Sequence, residues 1–129
     1  MERGDSSSSS SSTQSTSTSK WFSPTKKKLT WKKAKQICRD NGGRLPTIEE
    51  LKEVVTDCGG IVDEWRKNLN NSEYQSCHKR KGFLSNFYWS STTNVSDSSN
   101  AWSVGFGNGY DHWYDKTNEH RVRCVRGGQ

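Results

Sequence analysis

Four cysteines constrain the fold of this chain more than any other feature of its sequence. They are Cys38, Cys58, Cys77 and Cys124, in a chain of 129 residues. None of them belongs to a C-x-x-C pair, the close spacing that is typical of zinc ligands. His78 directly follows Cys77, but adjacent residues rarely bind one ion together. The pattern therefore predicts two disulfides rather than a metal site, and an oxidising compartment.

The N-terminal segment is set apart from the rest by its composition. The stretch DSSSSSSSTQSTSTSK, which ends at Lys20, holds no apolar side chain whose burial would offset the entropy of ordering. We predict that residues 1–20 form a disordered tether and that residues 21–129 form one domain. No apolar run approaches the ~20 residues of a membrane helix, and MERGDSSSS lacks a hydrophobic signal segment. We expect no membrane span, and export through a removed signal or by assembly into a virion.

Helical periodicity occurs twice in the first half of the domain. In the first helix, Thr30 is the candidate N-cap, and NGG at 41–43 is the stop signal. Its apolar face consists of Trp31, Ala34, Ile37 and Cys38. In the second helix, Thr47 and Glu50 make a capping box, and the glycines at 59–60 end the helix. Its apolar face consists of Ile48, Leu51, Val54, Val55 and Cys58.

The second half of the domain predicts a long loop followed by strands. Residues 61–82 are polar and weakly patterned, so we expect a loop with a helical turn near Trp65, held by a Cys58–Cys77 disulfide. Alternating apolar residues predict strands at 87–91, 101–106 and 121–126, and GNG at 107–109 predicts a hairpin turn. Two helices packed on a small antiparallel sheet make an α+β domain with long loops. The expected core includes Trp31, Trp102, Val104, Phe106 and Val122.

Several motifs occur in the order that is found in a known fold. The stretch LTWKKAKQICRDNGGRL resembles the opening of the C-type lectin-like domain, in which the first-helix cysteine pairs with one in the last strand. The resemblance therefore implies a Cys38–Cys124 disulfide. Four further motifs follow along the chain: GGRLPTIEEL, YWSST, AW-V-F-NG and VRCVR. Taken together with the opening stretch, they make residues 29–127 similar to one branch of that superfamily. This branch is DUF1566, the Lcl C-terminal domain, and it implies a C-type lectin-like fold.

Members of this branch often carry an asparagine-rich stretch between AW-V-F-NG and VRCVR. In some of them a diversity-generating retroelement mutates the adenines of this segment. From an AAC codon, adenine changes give Tyr, Asp, His, Ser, Thr, Gly or Arg, which make up most of the segment 103–121. Trp113 and Glu119 need another codon such as AAG. The resemblance thus implies the variable protein of such a retroelement; the alternative is a set of ordinary loop residues in a member that is not diversified.

The chemistry of this segment favours a binding surface. Tyr and Trp supply large contact areas at low entropic cost, and Ser, Asn and Gly supply adaptable hydrogen bonds. Strand alternation prevents the four aromatic residues within 110–114 from all facing one core, so some are exposed. We expect an unknown protein or glycan partner, and a location that is cell-surface, secreted or virion-associated. The residues assigned to ligand binding are Ser103, Gly105, Gly107, Tyr110, Asp111, His112, Trp113, Tyr114, Asp115, Thr117, Asn118, Glu119, His120 and Arg121.

Two other activities are less well supported by the residues. A calcium-dependent sugar lectin would carry Glu-Pro-Asn or Gln-Pro-Asp and Trp-Asn-Asp motifs, and none of these occurs. The formylglycine-generating enzymes have a related fold, but they are much larger and their active cysteines have no matching motif here. We therefore expect no enzyme, no catalytic residues, no metal and no cofactor. His78, His112 and His120 are interpreted as loop or contact residues.

A cluster of lysines raises a third possibility. The net charge is +6, and six lysines lie within ten positions: Lys26, Lys27, Lys28, Lys32, Lys33 and Lys35. Such a cluster attracts nucleic acid or another polyanion, or it is a solvated helix face. No nucleic-acid-binding motif is present, so we do not expect a nucleic-acid partner. The alternative to a diversified receptor-binding module is a fixed lectin-like domain that binds a carbohydrate or an anionic polymer.

Overall fold

The computed structural model describes residues 20–62 and 64–126, in which four helices precede three strands. The predicted tether lies outside the described residues, except for Lys20. The first two helices are followed by two shorter helices and then by an antiparallel sheet, so the predicted α+β class is confirmed. Within the described ranges, no helix has the length and apolar character needed to cross a bilayer. The elements are α1 Trp31–Asp40, α2 Ile48–Asp57, α3 Trp65–Leu69, α4 Ser72–Arg80, β1 Phe87–Thr93, β2 Asn100–Gly105 and β3 Tyr110–Asp115.

The N-terminus of α2 has the predicted capping box. The Thr47 hydroxyl accepts a hydrogen bond from the Glu50 N–H at 3.2 Å, and the Glu50 carboxylate accepts one from the Thr47 N–H at 2.8 Å. The guanidinium of Arg44 also lies 2.8 Å from this carboxylate. It is the main reason that the pKa of Glu50 is lowered to about 2. Thr30 occupies the N-cap position of α1, but its side chain makes no capping hydrogen bond.

The prediction of a long loop over residues 61–82 is wrong, because two helices lie there. Helix α3 begins at Trp65, where a helical turn was expected. Helix α4 is capped by Asn71, whose side chain accepts a hydrogen bond from the Tyr74 N–H. The buried residues of α4 are only Tyr74 and His78. The His78 ring is also bonded to the Phe83 carbonyl at 2.7 Å, which fixes the turn into the sheet.

The sheet has the order β1-β2-β3, with both neighbouring pairs antiparallel. Strands β1 and β2 confirm the predicted strands over 87–91 and 101–106. The predicted hairpin turn at 107–109 is present, but it leads into β3, which was not among the predicted strands. The predicted strand over 121–126 is wrong. This segment makes only isolated bridges, to three different parts of the chain: Arg121 with Tyr88, and Val125 with both Trp21 and Arg44.

Each face of the sheet covers a separate part of the core. One face carries Tyr88 and Val104 and packs, with Phe106, against α2 and α4. The other carries Trp89 and Ala101 and packs against α1 and Val122. Val104, Phe106 and Val122 are fully buried, as predicted, whereas Trp31 and Trp102 are only partly buried. Both predicted disulfides, Cys38–Cys124 and Cys58–Cys77, are present.

The two short helices hold the hairpin that presents β3. Asn68 of α3 is buried, accepts a hydrogen bond from the Ile61 N–H and donates to the Asn108 carbonyl at 2.9 Å. From α4, Gln75 donates to the Gly107 carbonyl at 2.7 Å, and the Tyr74 hydroxyl donates to the carbonyl of Phe106. Side chains of α3 and α4 therefore hold the hairpin turn in place, in addition to its own backbone.

Candidate functional site

Strand β3 is an edge strand that consists entirely of residues assigned to ligand binding. It pairs with β2 along its whole length, with Ser103 opposite His112 and Trp102 opposite Trp113. No described strand pairs with its other edge. Because side chains alternate along a strand, Tyr110, His112 and Tyr114 lie on one face, and the residues between them lie on the other.

Five rings form what we call the aromatic cluster: Phe87, Tyr110, His112, Tyr114 and His120. The ring centroids of Tyr110 and His112 are 6.1 Å apart, those of His112 and Tyr114 are 5.0 Å apart, and those of Tyr114 and His120 are 4.7 Å apart. Phe87 packs edge-on against Tyr114 at 5.1 Å. Exposure rises along the cluster from half-buried His120 to Tyr110, which is 36% exposed. The rings thus make a continuous surface from the core to solvent.

Two residues assigned to ligand binding lie beneath the aromatic cluster. Ser103 and Gly105 of β2 are buried. A Cβ atom on Gly105 would lie 3.0 Å from the Phe87 ring, so the absence of a side chain lets that ring close over the strand. These small residues therefore support the cluster from below instead of presenting side chains at the surface.

The opposite face of β3 adds an exposed tryptophan. Trp113 is 43% exposed, and its ring stacks on that of His112 with centroids 5.1 Å apart. Aromatic surface therefore continues around the edge of the sheet. The Asp111 carboxylate lies 2.8 Å from the Lys52 ammonium, which ties this face of β3 to α2.

The loop after β3 presents exposed polar groups at the end of the aromatic cluster. The Asp115 carboxylate accepts hydrogen bonds from the Thr117 N–H at 2.9 Å and from its hydroxyl at 2.7 Å. These bonds lower the pKa of Asp115. Thr117, Asn118 and Glu119 are exposed. The last two assigned residues outside β3 are half-buried: Gly107 in the hairpin turn, and Arg121, which donates to the Asn86 side chain at 2.9 Å.

Burial keeps the inner part of the aromatic cluster uncharged. It lowers the pKa of His120 to about 4, with a smaller effect from the nearby Lys28, and it raises the pKa of Tyr114. Both rings are consequently neutral near pH 7. The Ser103 hydroxyl and His120 Nε2 are buried and have no hydrogen-bond partner among the described residues. The surface therefore offers neutral rings and hydrogen-bonding groups, with charged side chains only at Asp115, Glu119 and the neighbouring lysines.

The lysine cluster lies beside the aromatic cluster, which the sequence did not indicate. Among the described residues, none of its six lysines forms an ion pair. Trp31, predicted to be core, is half-buried, and the ammonium groups of Lys35 and Lys116 lie 4.4 Å and 4.0 Å from the centroid of its ring. A backbone bond between the Trp31 N–H and the Lys116 carbonyl joins α1 to the end of β3. Three half-buried residues therefore adjoin this surface although the sequence did not assign them to it. Trp31 was assigned to the core, and Phe87 and Lys116 were given no role in the site.

Comparison with known proteins identifies the family of the chain. A search of curated proteins finds no match. The family model described as the Lcl C-terminal domain matches residues 6–126. The matched range includes every helix and strand described above and all four disulfide-bonded cysteines. The chain belongs to the Lcl C-terminal domain family.

Proposed function

We propose that this domain is a non-enzymatic module with a C-type lectin-like fold that binds a protein or glycan partner through the aromatic cluster and Trp113. The observation that carries this proposal is the exposure of Tyr110 and Trp113 on an edge strand. Large aromatic side chains are enriched in the energetically dominant part of binding interfaces, and exposed aromatic surface of this kind marks interaction sites. Two disulfides support a location outside the reducing cytoplasm: on a cell surface, secreted or on a virion.

We further propose that the chain is one variant of a protein diversified by a retroelement. Support comes from the residue types of 103–121, most of which are reached by adenine changes in AAC codons. The exposure of Tyr110, Asp115, Thr117, Asn118 and Glu119 also supports it, because exposed positions accept substitution with little effect on stability. Ser103 and Gly105, which are buried, are expected to vary less, or only among small residues.

Population sequencing of the coding segment for residues 90–129 tests the diversification proposal. We expect substitutions confined to the adenine positions of a nearby invariant template copy, concentrated at the exposed codons. A uniform segment, or variation spread evenly over all four bases, would reject diversification and leave a fixed binding domain.

The second candidate function is a fixed domain that binds an anionic polymer. The observation that favours it is the group of six lysines without ion pairs beside Trp31 and the aromatic cluster. Lysines next to stacking rings suit a polymer that carries both negative charge and planar or ring-shaped units. Binding to dextran sulfate but not to neutral dextran, and weaker at higher salt, would support this candidate. Binding to single-stranded DNA with the same affinity would indicate a general polyanion surface without glycan preference.

A further inference from the structure

A cleft of about 230 Å³ lies on the side of the domain formed by α2 and Arg123. One wall is a stripe of α2 that carries Glu53, Val54 and Asp57. The rest of the lining comes from other parts of the chain and includes a second group, the cationic wall, formed by Lys81, Phe83 and Arg123. The cleft includes no residue of β3 or of the aromatic cluster, so it is separate from the surface proposed above to bind a partner.

The cationic wall contains a buried arginine without a carboxylate partner. Arg123 is only 8% exposed, and its guanidinium stacks over the Phe83 ring at 4.8 Å. It donates to two backbone carbonyls, those of Phe22 at 2.6 Å and Lys81 at 2.7 Å. No carboxylate lies within ion-pair distance of it among the described residues. These contacts hold the guanidinium in place but leave its positive charge uncompensated, so an incoming anion would gain a fixed, partly desolvated partner.

The acidic wall contains an uncompensated carboxylate. Asp57 is the last residue of α2, where the negative end of the helix dipole disfavours an acid, and the last turn holds no basic residue. Within the described chain, the Asp57 carboxylate has no hydrogen-bond or ion-pair partner. The ammonium of Lys81, another lining residue, is also exposed and has no ion-pair partner among the described residues. At the far end, Lys20 lies 3.3 Å from Glu50 and 3.9 Å from Glu53, so the charges there are already neutralised.

This arrangement selects for a ligand that carries both signs of charge. A simple anion would be repelled by the carboxylates of α2, and a simple cation by Arg123 and Lys81. Between the charged groups, Val54, Phe83 and Trp21 line the cleft and provide apolar surface. We propose that the cleft binds a small zwitterion, an apolar α-amino acid or a short peptide. Its carboxylate would lie towards Arg123 and Lys81, its ammonium towards Asp57, and its apolar side chain against Val54 and Phe83.

Titration of the full chain with three related compounds tests this inference. The compounds are leucine, leucinamide, which lacks the carboxylate, and N-acetylleucine, which lacks the ammonium. We expect saturable chemical-shift changes at the amides of Val54 and Phe83 with leucine. Each truncated compound should bind about tenfold more weakly or worse, because each loses one charged interaction. Equal responses to the three compounds, or no response to leucine at tens of millimolar, would overturn the proposal. Tighter binding of leucylleucine than of leucine would identify a peptide as the ligand; the reverse order would identify a free amino acid.

Variants of the two exposed charges separate this site from the proposed function. Asp57→Asn and Lys81→Gln should each weaken leucine binding about threefold to tenfold without unfolding the protein, because neither side chain has a partner in the described structure. The matched control is Glu49→Gln, an exposed residue of α2 that does not line the cleft, and it should bind leucine normally. Trp113→Ala should also retain leucine binding even if it abolishes partner binding. Unchanged affinity in both cleft variants would show that the opposing charges do not hold the ligand.

Discussion

Trp89 and Trp113 are two tryptophans of one sheet that differ in exposure, and they allow a matched test of the binding surface. Trp89 is fully buried and its indole N–H donates to the Leu29 carbonyl at 2.8 Å. Trp89→Ala should therefore cost about 3–5 kcal/mol of unfolding free energy. Trp113→Ala should cost less than about 1.5 kcal/mol, because much of the ring is already in water, yet it should weaken partner binding. Denaturant unfolding measures both; equal losses would place Trp113 in the core and contradict its assignment.

His120, at the inner end of the aromatic cluster, makes the unfolding free energy of the protein depend on pH. Its pKa is lowered to about 4 in the folded chain, against an ordinary value near 6.5. The unfolded chain therefore binds more protons between these values, and stability falls as the pH is lowered through this window. Because the residue is half-buried, we expect a contribution of about 1 kcal/mol between pH 7 and pH 5.

The variant His120→Gln isolates this contribution, since His78, whose pKa is also lowered by burial, is retained in both proteins. Urea unfolding at pH 7 and pH 5 should show a smaller loss of stability in the variant than in the natural sequence. Identical losses would mean that His120 is protonated as readily in the folded chain as in the unfolded one.

The starts of the two long helices provide a second matched comparison, at the scale of elements. Thr47→Ala removes a hydroxyl that accepts the Glu50 N–H, and it breaks the capping box. We expect a loss of about 1 kcal/mol in unfolding free energy. Thr30→Ala removes a hydroxyl that makes no capping bond, so its cost should be a few tenths of a kcal/mol. If Thr30→Ala lost as much unfolding free energy as Thr47→Ala, the Thr30 hydroxyl would form a capping bond in solution.

Local signals of this kind, present in some elements and absent from others, explain which elements could be predicted from the sequence. Helix α2 carries its signals locally, in a capping box and a five-residue apolar face, so its bounds were predictable. Helix α4 buries only Tyr74 and His78, too few for a periodic pattern to stand out. Strand β3 has no aliphatic residue, because its inward face is made of rings over Ser103 and Gly105. The segment 121–126 has the alternation of a strand, but its partners are single residues from three different segments.

The site was predictable as a list of residues but not as a surface. The residues of β3 and its loop were assigned to the candidate site by their chemistry alone. Their division into two faces required the register with β2, and the burial of Ser103 and Gly105 required the position of Phe87. The proximity of the lysine cluster to the rings depends on the backbone bond between Trp31 and Lys116, which are 85 positions apart in sequence. Long-range contacts of this kind leave no local pattern in one sequence.

At the scale of the whole molecule, the two disulfides stabilise different parts of the scaffold behind the proposed binding surface. Cys38–Cys124 joins α1 to the C-terminal segment across a sequence separation of 86, and Cys58–Cys77 joins the end of α2 to α4 across 19. A cross-link stabilises mainly by restricting the unfolded chain, and the effect grows with the length of the closed loop. The longer loop corresponds to about 4.5 kcal/mol and the shorter to about 3 kcal/mol at 25 °C.

We therefore expect the double variant Cys38→Ala, Cys124→Ala to lose more unfolding free energy than Cys58→Ala, Cys77→Ala. Urea unfolding of the two proteins under non-reducing conditions measures this difference, and mass spectrometry confirms that the remaining bridge is intact. The shorter bridge has a second role, because α4 donates two of the bonds that hold the hairpin turn. Removal of the Cys58–Cys77 bridge should therefore accelerate amide exchange at Gly107–Gly109. The acceleration should exceed the one expected from the loss of global stability. If exchange there follows global unfolding alone in both variants, the helices do not anchor the hairpin independently of the rest of the domain.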